Sequence, residues 1–192
     1  MIAGQRFEPT TNQLRVLRVA IALVLCLSLL SCVVRGADKP ANPSLAPVGS
    51  SSRVELPGFG EVKVLVRTPS GSLLAWCLLL AATAAQRERG LMTVTDPALG
   101  GYDGMLFRWA DADVSESFWM RNTPMPLSIA YVGSAGQLVS TADMAPCEDS
   151  ADCQTYPPAA PYRLAIEVPQ GGLVRLGIDA SATVTDTKTG CG

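Results

Sequence analysis

The side chains best placed to do chemistry in this sequence lie in Ser117-Phe118-Trp119-Met120-Arg121-Asn122-Thr123-Pro124-Met125-Pro126-Leu127. Trp119 beside Arg121 and Asn122 is a combination that holds a sugar or another polar ligand. The indole supplies a flat apolar face and its neighbours supply hydrogen bonds. Glu167 is the fourth candidate ligand contact. A structural reading competes: Trp119 fills the core, Asn122 caps a turn and Arg121 pairs with Glu167. That reading is the expectation, with Arg121 partly exposed at the rim of a shallow groove. The pattern holds neither a general base nor a nucleophile, so it lacks the parts for catalysis. Glu167 and Asp143 could serve as a carboxylate pair for glycoside chemistry, which needs a separation of roughly 5–9 Å. Nothing in the sequence brings those two together.

Other chemistries are excluded by what is missing. The chain has no His, which removes Ser-His-Asp and Cys-His catalysis and most zinc enzymes. Asp111-Ala112-Asp113-Val114-Ser115 opens like a calcium loop, but Glu116 replaces the required Gly and Asn122 the required Glu. Gly100, Gly101 and Gly104 do not join a strand to a helix and so form no phosphate loop. No cofactor or metal is implied. Net charge is -2 over 192 residues, and -4 once residues 1–31 are set aside. No basic patch remains, and nucleic acid is not an expected partner.

Residues 1–31 read as a targeting segment. Arg6, Arg15 and Arg18 precede an apolar run from Val19 to Val34 that is shorter than the roughly 20 residues needed to span a bilayer. The run ends Leu29-Leu30-Ser31-Cys32, which resembles a bacterial lipobox and implies lipidation of Cys32. The expected location is therefore the bacterial envelope, with the membrane as partner through a lipid anchor. Residues 32–57 are a flexible Pro- and Ser-rich linker. Its seventeen residues from Gly36 to Ser52 reach roughly 23 Å as a coil. Residues 58–192 form one domain.

An exported domain meets an oxidising compartment. Cys147 and Cys153 flank a short acidic loop and are the expected disulfide. Cys77 lies in an apolar run and reads as a buried small hydrophobe. Cys191 has no evident partner.

Short strands must position these groups. Glu61–Arg67 alternates with valines on one face. Leu73–Ala82 is a buried strand after the Thr68–Ser72 turn. Thr83-Ala84-Ala85-Gln86 is a capping box for a two-turn helix ending at Gly90. Further strands are expected at Gly104–Trp109, at Phe118–Asn122, in a hairpin of Leu127–Val132 with Gln137–Ala142, at Tyr162–Val168 and at Ala182–Thr185. Alternation in the second of these puts Trp119 and Arg121 on one face. In the Tyr162–Val168 strand it sets Tyr162, Leu164, Ile166 and Val168 opposite Arg163 and Glu167. Mainly β composition at this spacing predicts a compact antiparallel β-sandwich or barrel-like domain with one or two short helices.

Several motifs in order carry a family resemblance. They are Thr83-x-x-Gln86-Arg87-x-x-Gly90-Leu91-Met92, Gly104-Met105-Leu106-Phe107 and Phe118-Trp119-Met120-Arg121-Asn122-Thr123-x-x-Pro126-Leu127. Pro146-Cys147, Tyr156-Pro157, Glu167 and Gly171 follow. Together, over roughly residues 60–185, they resemble the domain of unknown function 192 family. The resemblance implies a compact β fold and no established activity. Ser128 stands where that family usually carries Asp.

Two functions are compatible with these features. The first is a non-enzymatic, envelope-tethered module that binds a small or polymeric ligand, such as a glycan, or a protein. The second is a carboxylate-dependent glycan hydrolase, which would place Glu167, Asp143 or Asp103 in a cleft with Trp119.

Overall fold

The structure, a computed structural model, describes residues 53–192. The targeting segment, Cys32 and the whole of the Gly36–Ser52 linker lie outside the described residues. Nine strands form: β1 (Gly60–Arg67), β2 (Leu73–Ala81), β3 (Met105–Arg108), β4 (Phe118–Trp119), β5 (Leu127–Val132), β6 (Leu138–Met144), β7 (Thr155–Tyr156), β8 (Leu164–Pro169) and β9 (Thr183–Asp186). Two short helices, α1 (Ala84–Arg89) and α2 (Gly172–Arg175), and a 3-10 turn at Leu99–Gly101 complete the set among the described residues.

Seven strands make one sheet in the order β6-β5-β8-β3-β2-β1-β9, and β4 pairs with β7 separately. The pairings are antiparallel except β2 with β3, which run parallel because α1 and the 3-10 turn lie in the crossover between them. The sheet curls until its edges touch at one point. Val184 N–H donates to Gly136 O at 2.8 Å, and Gln137 bridges Thr183. The edges do not pair further, so the result is barrel-like and not closed.

Each face of the sheet packs its own core. Val62, Val64, Val66, Leu78, Leu106, Ile166 and Val184 point inward, and Leu173, Leu176 and Ile178 on and after α2 plug that interior. Cys77, Leu79, Met105, Phe107, Ile129 and Tyr131 point outward, under a cover of Leu91, Met120, Tyr156 and Tyr162. The alternation read from β1 and β8 holds within the strands. Tyr162 departs from it, because β8 begins only at Leu164 and Tyr162 bridges Val114 in the outer layer. At one end of the interior the Arg108 guanidinium grips Asp186 with two bonds of 2.6 and 2.7 Å. Burial acts to raise the Asp186 carboxyl, yet donation from Arg108 and Lys188 outweighs it and holds the group below its ordinary value.

Two disulfides are present among the described residues. Cys147 is joined to Cys153, the pair selected by spacing. Cys77 is not a free hydrophobe. It bonds to Cys191 across 114 residues and pins the C-terminal segment to β2. That segment folds back because Lys63 N–H donates to Thr189 O at 2.9 Å and Thr187 Oγ1 donates to Lys63 O at 2.7 Å. Loop-closure entropy ranks the two bonds. Replacing both Cys77 and Cys191 by Ala should lower unfolding free energy by about 4–5 kcal/mol in urea melts, against about 2 kcal/mol for Cys147 with Cys153. Equal losses would show that the long loop is held by other contacts.

Candidate functional site

A cavity lies on the outer face, between α1 and β4. Helix α1 starts as its sequence prescribes: Gln86 N–H donates to Thr83 Oγ1 at 3.2 Å and Thr83 N–H to Gln86 Oε1 at 3.0 Å. It stops at Gly90, whose φ of 47° favours glycine. A Cβ there would stand 3.3 Å from Phe107 Cζ, so glycine lets the helix end rest on β3. On the opposite side Phe118 meets Phe107 edge-on at 4.9 Å and Tyr131 at 5.7 Å. The gap between them is a cavity of about 340 Å³, walled by Arg87, Leu91, Phe107, Trp109, Phe118 and Trp119. Its floor is Glu167.

Glu167 comes from β8, between Met105 of β3 and Ile129 of β5 in the same row of the sheet. The residue is 4% exposed, and its carboxyl has no hydrogen-bond or ion-pair partner among the described residues. Burial pushes it up to about 8. It is therefore mostly protonated at neutral pH, a neutral acid at the bottom of an aromatic pocket. Nearby, the Tyr131 hydroxyl donates to Tyr156 O, and burial pushes its phenol up, with the Glu167 charge adding to the effect.

The Arg87 and Arg89 guanidinium groups at the rim are already engaged. Arg87 donates to Ala82 O at 2.6 Å and Arg108 O at 2.9 Å while lying 4.9 Å above the Trp109 ring. Arg89 donates to Pro57 O at 2.7 Å and stacks on Phe59. Glu88 and Glu116, also at this rim, have side chains with no bonded partner among the described residues.

Of the four residues singled out by sequence, the structure brings Trp119 and Glu167 to one cavity and leaves Arg121 and Asn122 in the adjoining groove. Trp119 is not core. It is half-buried and forms a wall of the cavity and of the adjoining groove. Arg121 does not reach Glu167; it stacks over Trp119 at 5.2 Å and faces Asp149 at 3.6 Å. The expected strand through Asn122 ends at Trp119, because Asn122 is left-handed at φ 54° and Thr123 N–H turns back to Met120 O at 2.9 Å. Asn122 lies in the groove beside Arg121, outside the Glu167 cavity. Its carbonyl accepts from Thr93 N–H at 2.8 Å, and Thr93 is also left-handed at φ 61°. A β-branched residue there stores strain on the order of 1–3 kcal/mol.

Asp143 is elsewhere. It pairs across β5 and β6 with Ser128, whose hydroxyl donates to it and accepts from Gly171 N–H at 2.9 Å. Asp103 is tied to Arg175 at 2.9 Å. Glu61, Cys77 and Cys191 gather as metal-ligand types, but the two sulfurs are bonded to each other and supply no thiolate. Phe107, Trp109, Arg87 and Glu116 are site residues that sequence reasoning missed. The first two read only as strand, and the aromatic density around Glu167 appears once β3, β4 and β8 are brought together.

Residues 65–185 match the family described as Uncharacterized ACR, domain of unknown function 192, and the chain belongs to it. A protein of unknown function from Novosphingobium aromaticivorans is 30% identical, covering 78% of this chain and 99% of its own, with a TM-score of 0.59. A proposed transcription regulator from Sinorhizobium meliloti shares the fold at a TM-score of 0.56 and 24% identity, covering 71% of this chain and all of its own. No curated protein matches.

The raised Glu167 carboxyl makes stability depend on pH with a definite sign. Between its ordinary value of 4.5 and about 8, the folded state binds the proton and the unfolded state does not. Stability should therefore fall as pH rises through that window, by on the order of 4 kcal/mol from this group alone. Glu167→Gln should remove the dependence. Parallel profiles of melting free energy from pH 5 to 8 for the two proteins would show that Glu167 titrates as it does in water.

Proposed function

We propose that the protein is a non-enzymatic binding module, tethered to the bacterial envelope through lipid on Cys32, that takes its ligand in the cleft between α1 and β4. One observation carries this reading: a buried carboxyl without a partner among the described residues lines an aromatic cavity open to solvent. A fold gains nothing from burying such a group in that setting. A site that must meet a polar ligand group does gain. The two disulfides support an oxidising, exported setting. No helix among the described residues is long and apolar enough to cross a membrane. Excess negative charge speaks against nucleic acid as ligand.

A hydrolase is the second reading, because Glu167 shares its cavity with Trp119, as that reading requires, and Glu116 borders the same cavity. A protonated acid with a carboxylate nearby is the pairing that glycoside cleavage uses. Release of reducing sugar from envelope glycans, abolished by Glu167→Gln, would establish it. The binding module predicts no turnover with either protein.

Two variants test the main reading. Trp119→Ala should lower unfolding free energy by less than about 1 kcal/mol, where truncating a core Trp costs about 3–5 kcal/mol. A core-sized loss would return Trp119 to a structural role and overturn the cleft. Cys32→Ala should release the protein from membranes or leave an unprocessed precursor. Mature protein beginning at another residue would rule out the anchor.

A further inference from the structure

We infer that the occupant of the Glu167 cavity is a small organic cation, an ammonium group on a compact apolar body, held by the aromatic walls above an ionised Glu167. The inference rests on the cleft being the ligand site, and it names the ligand's chemical class.

Three features point to a cation. The first is shape: about 340 Å³ is at the small end of ligand cavities, enough for a group the size of a trimethylammonium with a short tail. The second is the wall chemistry. Phe107, Trp109, Phe118 and Trp119 line one cavity, and ring faces attract cations, most strongly where water is excluded. The chain uses this attraction itself at two of these rings, with Arg87 over Trp109 and Arg121 over Trp119.

The third feature is the balance of unsatisfied charge. Both arginines at the rim donate to backbone carbonyls, of Ala82 and Arg108 for Arg87 and of Pro57 for Arg89. The carboxyls of Glu88, Glu116 and Glu167 have no partner among the described residues. With Glu167 ionised, three carboxylates and two guanidiniums leave one net negative charge at the cavity, which an entering cation balances and an anion would add to.

Binding is then linked to a proton. In the empty cavity burial holds Glu167 mostly neutral up to about pH 8. A cation above it favours the carboxylate, so one proton leaves to solvent as the ligand enters and the cavity gains no net charge. The titratable and charged groups facing Glu167 are Tyr131 from β5, whose phenol burial pushes up, Arg87, Glu88 and Arg89 from α1, and Glu116 from the segment before β4. Glu88 and Glu116 stand exposed at the rim.

The test compares choline with 3,3-dimethyl-1-butanol, its neutral isostere, by titration calorimetry on the purified protein from pH 6 to 9. Choline should bind more tightly than the isostere. Its affinity should rise about tenfold per pH unit up to about pH 8 and level off above. Buffers of different ionisation enthalpy should reveal close to one proton released per choline bound at pH 6. Glu167→Gln should weaken choline binding at pH 8 by at least tenfold and flatten its pH profile, while leaving the isostere unaffected. Should that variant fail to fold, the profile and proton count of the unaltered protein stand on their own. Equal binding of the two compounds without pH dependence would overturn the cation and leave the cleft intact. Failure of both to bind at millimolar concentration would overturn it as well, and the Trp119→Ala melt would then judge the cleft separately.

Discussion

The register of β8 is the constraint on which the rest of this structure depends. The strand is buried on both faces between β3 and β5. Leu164, Ile166 and Val168 fill the curled interior, which leaves Ala165 and Glu167 to the outer layer. A slip of one residue would drive the carboxyl into the apolar interior and force three large aliphatic side chains into the outer layer, where Ala165 and Glu167 now sit. The hydrophobic pattern thus fixes where Glu167 stands as firmly as it fixes the fold. Gly104 reinforces the register. A Cβ on it would come within 2.5 Å of Glu167 O and 2.8 Å of a Val168 methyl, so only glycine lets the chain enter β3 against β8.

The domain treats its two most buried carboxyls in opposite ways. Asp186 receives Arg108 and Lys188 and stays charged, and it closes one end of the interior. Glu167 receives no donor among the described residues and stays mostly neutral. Burying a paired carboxylate costs desolvation that its hydrogen bonds recover. Burying an unpaired one is tolerated because protonation removes the charge. The first arrangement is a structural tie. The second leaves an acid whose state any group entering the cavity can change.

Much of the fold was legible because its signals are local. The capping box of α1, the valine alternation of β1 and the turn at Gly133–Gly136 each specify a conformation within a few residues, and each formed. The misreadings share a different cause. Phe118–Asn122 has the composition of a strand, but left-handed Asn122 ends the alternation and brings Trp119 out to the cavity wall. Arg121 was matched to Glu167 by charge, while the disulfide loop supplies Asp149 instead. Cys77 looked like filling in an apolar run, and its partner lies 114 residues away. Glu167 itself was readable as a strand residue but not as a buried one, because α1 and β4, which cover it, are distant in sequence. Site chemistry here is a property of tertiary packing over a sheet whose individual strands are plain in the sequence.

Glu61 has a consequence of another kind. Its carboxylate receives Cys191 N–H at 2.9 Å and faces the Arg53 guanidinium at 3.5 Å. The point where the chain enters the domain and the segment that closes it therefore meet at one side chain. Tension on the entering segment is met beside the Cys77–Cys191 bond and the Val54–Gly100 hydrogen bond, at one corner of the sheet. A pull there loads this corner and spares the ladder that carries the cavity. The same proximity makes the domain a good subject for circular permutation. A short bridge from Gly192 to Arg53, with new ends opened in the polar 111–115 turn, would leave every strand of the main sheet continuous.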